Sequence, residues 1–263
     1  MQQTENSNAV AEYPAPPNRA EGDVDHLVSN RFFADLNQGV VVEVGAARPD
    51  YLSISALFRS RGWEIVAIEP NPAYAEFYER QGIDVLAYAC GDHDEDDVDF
   101  MVVNSHGADY KGGNVTYESW SSLSIKDNYA ELKPDLDMTR IKVKLRKLDT
   151  ILSEHAPHID HIDLISIDIE GWELDALAGL DFNNYKPRVL IVENLFFESR
   201  YRSFMQHQGY VLWRRVTPND VYVRSEMLSV VEKLAARLTT GVSTVVGRCR
   251  VFVGKLLRGG RGE

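Results

Sequence analysis

The chain has 263 residues, a length that corresponds to one large domain or two small ones. Hydrophobic residues make up 44% of it and charged residues 26%, a composition that can build a sizeable core. The 40 Asp and Glu residues outnumber the 28 Lys and Arg residues, which gives a formal net charge of −12. This balance argues against a nucleic-acid partner, because binding phosphates requires clustered basic side chains.

Cysteine content and hydropathy indicate the compartment. The two cysteines, Cys90 and Cys249, are too few and too far apart for a disulfide framework or a Cys-based zinc site. No apolar run reaches the roughly 18 to 20 residues that span a bilayer. The first residues also lack the basic flank and the apolar run of a secretory signal. We therefore expect a cytoplasmic protein.

The composition of residues 1–23 predicts a disordered leader, because this stretch can bury little apolar area. From 24 to 224, apolar runs alternate with helical patterns, which is typical of an α/β, Rossmann-like doubly wound sheet. Buried parallel strands are predicted at Val40–Val44, Glu64–Ile68, Val85–Ala89, Ile162–Ile167 and Val189–Val192. Helices are predicted at about 53–61, 71–81, 148–155, 172–180 and 197–208. A closing antiparallel hairpin is predicted at Tyr210–Val216 and Val221–Arg224.

A long insertion, at about 92–147, separates the third and fourth parallel strands. It contains two strand-like segments, VDFMVV and IKVKLRKL, on either side of a stretch rich in Gly, Ser and Asn. Loops of this length inside a compact domain are usually functional or mobile. We therefore expect a lid-like insertion that covers the pocket.

Residues 225–263 differ from the rest of the chain in charge. They contain seven Lys and Arg residues and three Glu residues, a net charge of +4. Apolar residues recur at helical spacing, so the segment predicts a basic amphipathic tail. Two alternatives stay open: peripheral contact with an anionic membrane, or packing of the apolar face on its own domain or on a second subunit of a homodimer.

Two strand ends predict a nucleoside-binding site. The first strand ends at Glu43-Val-Gly45, and a glycine there allows a tight turn and a close approach to a ligand. The second strand ends at Glu69, 24 residues after Gly45, where a carboxylate can accept hydrogen bonds from ribose hydroxyls.

The loop after the first strand bears on the identity of the cofactor. The dinucleotide fingerprint needs further glycines so that a pyrophosphate can lie on the helix N-terminus. This chain has Ala47 and Arg48-Pro49-Asp50 instead, and Asp50 would repel a diphosphate. S-adenosylmethionine has no pyrophosphate and carries a sulfonium cation, which an acidic loop tolerates. The pattern favours the methyl donor over NAD.

Several segments together resemble the FkbM family of S-adenosylmethionine-dependent methyltransferases: VVVEVGA, GWEIVAIEPNP, ACGD, SSLS, KLDTIL, IDLISIDIEGWELDALAGL and VLIVEN. The most specific of them is Asp168–Glu173, which follows the family's D-x-E-G-x-E pattern. The resemblance covers about residues 38–215. It implies the class I methyltransferase fold, with about seven strands in the order 3-2-1-4-5-7-6 and strand seven antiparallel. It also implies O-methylation of sugars or secondary metabolites.

The resemblance further implies a set of cofactor-binding residues: Glu43, Gly45, Ala46, Glu69, Asn71, Cys90 and Asp92. In this set, Glu43 and Gly45 would line the methionine end and Glu69 would hold the ribose. Asp92 would meet the adenine amino group. The alternative for Asp92 is a solvated turn, because it begins an acidic run.

The catalytic candidates follow the later strands, since open α/β sheets bind ligands outside the carboxyl ends of their strands. Asp168 and Glu170 are candidate catalytic residues after the fourth strand. With Glu193 and Asn194 after the fifth strand, Asp168 is also a candidate Mg²⁺ ligand, because Mg²⁺ prefers oxygen donors. Glu173, in the same block, is also considered for a functional role. The alternatives are a helix-dipole interaction for Glu170 and an exposed charge in the first helical turn for Glu173.

The insertion supplies two further candidates. His106 lies in a glycine-flanked loop and is a candidate general base, because the pKa of an imidazole is near neutral. Trp120, Ser121 and Ser122 could contact a sugar or simply fold the lid.

These observations predict an S-adenosylmethionine-dependent O-methyltransferase that acts on a hydroxyl of a sugar, a glycan or a secondary metabolite. Two alternatives stay open at this point. One is an NAD-linked oxidoreductase, and the other is a non-catalytic nucleotide-binding module of the same fold.

Overall fold

The computed structural model describes residues 20–104, 121–124, 137–229 and 232. The strands in these ranges are β1 (Val40–Val44), β2 (Glu64–Ile68), β3 (Ala89–Cys90), β4 (Glu95–Val103), β5 (Met138–Arg146), β6 (Leu164–Ile167), β7 (Val189–Glu193), β8 (Tyr210–Val216) and β9 (Asn219–Arg224). The α-helices are α1 (Val24–Phe32), α2 (Ser55–Ser60), α3 (Ala75–Gln81), α4 (Leu148–His155), α5 (Glu173–Ala178), α6 (Phe182–Tyr185) and α7 (Ser199–His207). Short 3₁₀ turns occur at Glu21–Asp23, Pro72–Tyr74 and Ser225–Met227.

The main sheet contains six strands in the order β2-β1-β6-β7-β9-β8. Its first four strands are parallel, whereas β9 is antiparallel to both β7 and β8. Every residue of β1, β6 and β7 is buried, as expected for parallel strands covered on both faces. Alternate side chains enter separate cores: Val42 and Ile165 belong to one, and Val41 and Leu164 to the other. The mixed α/β architecture predicted from the sequence is therefore present.

The predicted seven-stranded arrangement is not confirmed for the described residues. Six strands lie in the predicted order, 2-1-4-5-7-6, with strand seven (β9) antiparallel, but the third predicted strand does not continue the main sheet. Leu86 forms a single parallel bridge with Ile68, and then the amide of Tyr88 donates to the carbonyl of Leu86 at 3.0 Å. This bend leads the chain away from β2. The predicted strand at Val85–Ala89 is consequently reduced to β3, which pairs with β5 in a second sheet of order β3-β5-β4.

The insertion forms most of this second sheet. Its two predicted strands are β4 and β5, which pair antiparallel, and the half-buried Asp99 on β4 contacts Arg140 and Lys142 on β5. Ser122 joins the same sheet through backbone hydrogen bonds with Met101 of 2.8 and 3.0 Å. The remainder of the insertion, 105–120 and 125–136, lies outside the described residues.

The folded body extends beyond the limits predicted for it. Ala20 is buried in the same core as Val24, whereas composition placed the start of the domain at residue 24. Leu228 is also buried there, beyond the predicted end at 224. Most of the predicted leader and basic tail lies outside the described residues. Within the described ranges, every helix is too short or too polar to cross a membrane.

Candidate active site

A cleft with an empty volume of about 500 Å³ lies between the two sheets. Gly45, Glu69 and Asp168 line one wall, and all three follow the carboxyl ends of main-sheet strands. Phe100 and Ser121–Leu123, from the insertion, line the opposite wall. The cleft is therefore at the edge where open α/β sheets bind their ligands.

Gly45 brings the loops after β1 and β6 into direct contact. Its φ is +74°, in the left-handed region that favours glycine. A Cβ at this position would lie 1.9 Å from the carbonyl oxygen of Asp168. The amide of Gly45 donates to the carbonyl of Ile68 at 3.0 Å, which fixes the turn against β2. The glycine predicted from the motif is thus required by close packing of the cleft walls.

Glu69 is the buried carboxylate of the cleft, with 8% of its surface exposed. One of its oxygens accepts a hydrogen bond from the amide of Asn71 at 2.8 Å, and the other from the amide of Ala47 at 3.0 Å. Burial raises the pKa of Glu69 to about 7, although both amides favour the ionised form. These bonds fix the carboxylate with acceptor capacity left over for a ligand.

We expect Glu69 to make the free energy of unfolding fall as the pH rises from about 4.5 to 7. Its pKa is higher in the folded chain, so its contribution is complete at low pH and is lost as the pH rises through 7. The size of this effect is roughly 3 kcal/mol. Urea denaturation of the wild type and Glu69→Gln across this range measures it as the difference between the two curves. Parallel curves would contradict the expectation.

Three of the residues predicted to bind the cofactor lie behind the cleft lining. Glu43 is buried at the end of β1 and accepts hydrogen bonds from the amides of Ile54 and Ser55. The carbonyl of Ala46 accepts a hydrogen bond from the Tyr78 hydroxyl at 3.1 Å. Asn71 holds Glu69 through its amide, and its side chain donates to Ser121 at 3.4 Å. In these positions Glu43, Ala46 and Asn71 support the loops that form the cleft.

The segment after β3 places its two candidates differently. Cys90 is buried and lines the cleft, where burial and the nearby Glu69 raise the pKa of its thiol. Asp92 lies outside the described lining, with 58% of its side chain exposed. Its carboxylate lies 2.6 Å from Nδ1 of His93, and this contact raises the pKa of the imidazole. A role for Asp92 toward adenine stays a prediction.

The loop between β6 and α5 carries the catalytic candidates. Asp168 lines the cleft, and carboxylate oxygens of Asp168, Glu173 and Glu193 lie within 4.8 Å of one another. Glu170 is buried and does not line the cleft, and its φ of +59° is in the left-handed region. The interpretation of Glu173 as an exposed charge is wrong, because this residue is fully buried. Burial also raises the pKa of its carboxyl group.

The predicted Mg²⁺ ligands do not form the expected set. The side-chain oxygen of Asn194 accepts a hydrogen bond from the amide of Glu198 at 2.8 Å, and its nitrogen donates to Asp220 at 2.9 Å. Glu173 takes the place of Asn194 beside Asp168 and Glu193, but it already accepts three hydrogen bonds from the protein. These donors occupy Oε1 of Glu173 and one acceptor site of Oε2, so the predicted set of Asp168, Glu193 and Asn194 is not supported as a Mg²⁺ site.

Four aromatic residues that were not predicted from the sequence also line the cleft: Tyr74, Tyr88, Phe100 and Trp172. Trp172 lies inside the D-x-E-G-x-E block, so its position next to the motif is the one usable signal. Its indole nitrogen donates to the carbonyl of Ser124 at 3.1 Å and so connects the main sheet to the insertion. The candidates His106 and Trp120 lie outside the described residues.

The fold and the cleft together define a methyltransferase-like α/β protein. A family model described as the Methyltransferase FkbM domain matches residues 43–212, well over half of the chain. The chain therefore belongs to the FkbM methyltransferase family, and the resemblance predicted from its motifs is confirmed. A comparison with curated proteins gives no match.

Proposed function

We propose that this methyltransferase uses S-adenosylmethionine and transfers its methyl group to a hydroxyl of a sugar, a glycan or a secondary metabolite. The observation that carries the proposal is Glu69, which is fixed at the end of β2 and faces the cleft. A carboxylate there can accept hydrogen bonds from the hydroxyls of a ribose. Family membership supports the same cofactor.

The charges in the cleft fit this cofactor better than a dinucleotide. Among the described lining residues, the charged side chains are Glu69 and Asp168, both acidic. S-adenosylmethionine carries a sulfonium cation, which acidic groups stabilise. The pyrophosphate of NAD would instead find no basic side chain among these lining residues and would face two acidic groups. The NAD-linked alternative is therefore disfavoured by charge as well as by the loop sequence.

The protein's own groups have two tasks in this proposal. S-adenosylmethionine supplies an electrophilic methyl group, so alignment of the acceptor oxygen accounts for most of the required catalysis. Asp168 lines the cleft and is our candidate for the group that accepts the hydroxyl proton. The aromatic side chains of Phe100 and Trp172 provide apolar surfaces on which an acceptor can lie. These surfaces also exclude water from the cleft.

Calorimetric titration of the purified protein with S-adenosylhomocysteine, S-adenosylmethionine and NAD⁺ tests the proposal. We expect the two sulfur nucleosides to bind. Glu69→Ala should lower their affinity about 100-fold, because charge-assisted hydrogen bonds are lost. Glu64→Ala is the matched control, because Glu64 begins β2 but contacts the exposed His158. It should leave the affinity within about twofold of the wild type, as usual for exposed pairs.

The opposite outcome is equally specific. A heat signal from NAD⁺ without one from the sulfur nucleosides would contradict the proposed cofactor. Binding of the nucleosides without methyl transfer to any tested acceptor would favour the non-catalytic alternative.

A further inference from the structure

The loop that follows β6 adopts a conformation that must be held in place. It contributes Asp168, Ile169 and Trp172 to the cleft. Between them, Glu170 has a φ of +59° and Gly171 a φ of +100°. A left-handed conformation costs a residue other than glycine about 1–2 kcal/mol. Such a loop persists only where neighbouring groups stabilise it.

Glu173 provides that stabilisation from the first turn of α5. Its Oε1 accepts hydrogen bonds from the amide of Ile169 at 3.2 Å and from the amide of Gly171 at 2.8 Å. The side chain is completely buried, so water does not compete for these amides. One carboxylate oxygen thus fixes the backbone on both sides of the left-handed Glu170.

Tyr201 on α7 orients this carboxylate. Its hydroxyl donates to Oε2 of Glu173 at 2.5 Å, which leaves Oε1 directed at the loop amides. The Tyr201 ring belongs to the same hydrophobic core as Ile165 and Ile167 of β6. The ring is therefore held by packing, and the hydroxyl has a fixed position from which to hold Glu173.

The held loop determines the shape of the cleft. The carbonyl oxygen of Asp168 lies only 1.9 Å from the position that a Cβ of Gly45 would take. A displacement of the 168–172 loop therefore changes its contact with the loop that follows β1. The indole of Trp172 continues the connection to Ser124 in the insertion. A displacement of the Glu173 carboxylate would therefore change the positions of residues on both walls of the cleft.

We propose that Glu173 and Tyr201 are positioning residues: the Tyr201 hydroxyl orients the Glu173 carboxylate, which holds the 168–172 loop so that Asp168 and Trp172 face the cleft. The assignment of the loop as a wall of the cofactor cleft rests on the proposed function, whereas the holding of the loop does not.

Amide hydrogen exchange of peptides covering 168–173, measured by mass spectrometry, tests the proposal. Tyr201→Phe should speed exchange of the loop about tenfold, the effect of losing one hydrogen bond. Glu173→Gln keeps an acceptor oxygen and should stay within about threefold of the wild type, whereas Glu173→Ala should exceed the Tyr201→Phe effect. The matched control is Tyr210→Phe, because Tyr210 is equally buried but donates to the carbonyl of Pro187.

Two results would overturn the proposal. The first is equal loop exchange in Tyr201→Phe and Tyr210→Phe, which would indicate a general loss of stability only. The second is exchange in Glu173→Gln as fast as in Glu173→Ala, which would show that an acceptor oxygen is not what holds the loop.

Affinity for S-adenosylhomocysteine adds a readout that general destabilisation would not change. Tyr201→Phe should weaken binding about tenfold and Tyr210→Phe less than about twofold, as expected when one hydrogen bond positions the binding site. If the wild type does not bind this nucleoside, the proposed function fails, but the exchange data still decide whether Glu173 and Tyr201 hold the loop.

Discussion

Gly45→Ala is expected to lower the free energy of unfolding by about 3 kcal/mol or more, from left-handed strain of about 1–2 kcal/mol and overpacking of about 1–3 kcal/mol. The added methyl group would lie 1.9 Å from the carbonyl oxygen of Asp168, and backbone must move to accommodate it. We also expect binding of S-adenosylhomocysteine to be lost, because both displaced loops line the cleft. Urea denaturation and calorimetry measure the two effects.

Gly62→Ala separates strain from close packing. Gly62 has a φ of +80°, similar to that of Gly45, but no heavy atom lies within 4 Å of an added Cβ. Gly62→Ala should then lower the free energy of unfolding only by the left-handed strain, about 1–2 kcal/mol. Equal losses in the two variants would show that the contact between Gly45 and Asp168 is not tight in solution.

Asp220→Ala is expected to destabilise the fold by about 3–5 kcal/mol, since removing one partner of a buried ion pair leaves the other uncompensated. Asp220 is fully buried on β9 and accepts hydrogen bonds from both Nε and Nη2 of Arg215. It also accepts a hydrogen bond from the side chain of Asn194, which follows Glu193 at the end of β7. The change should therefore loosen the end of β7 as well, and urea denaturation measures the total loss.

Asp99→Ala is the matched control for that experiment. Asp99 contacts Arg140 and Lys142, and the exposed fraction of these three side chains is 41% for Asp99, 66% for Arg140 and 59% for Lys142. Exposed pairs contribute about 1 kcal/mol or less, because water and salt screen them. A loss for Asp220→Ala no greater than for Asp99→Ala would contradict a structural role for the buried network.

The sequence predicted most strands of the main sheet because a parallel strand buried on both faces must be apolar throughout. Val40–Val44 and Glu64–Ile68 have the predicted bounds for this reason. The prediction of a third strand in the main sheet is not confirmed, because an apolar run does not specify the strand with which it pairs. Ala89–Cys90 pairs with β5 across more than 50 intervening positions, and local sequence carries no signal for that pairing.

The site shows the same division between local and distant information. Glu69 was predicted because its position at a strand end is enough to place it in the cleft. The burial of Glu173 was not, since a carboxylate in the first turn of a helix is usually exposed. Its environment depends on the Tyr201 hydroxyl, supplied by a helix 28 residues further along the chain. Nothing around Tyr201 in the sequence indicates this contact.

The two walls of the cleft come from two different sheets, and this has a consequence for evolution. The wall that carries Gly45, Glu69 and Asp168 directly follows strands of the main core, where a change in one strand disturbs its neighbours. The opposite wall comes from the insertion, whose strands pair mainly with each other. Mutations there can change the molecules that fit the cleft while the wall formed by the main sheet stays intact. We expect new acceptor preferences in this lineage to arise first in the insertion.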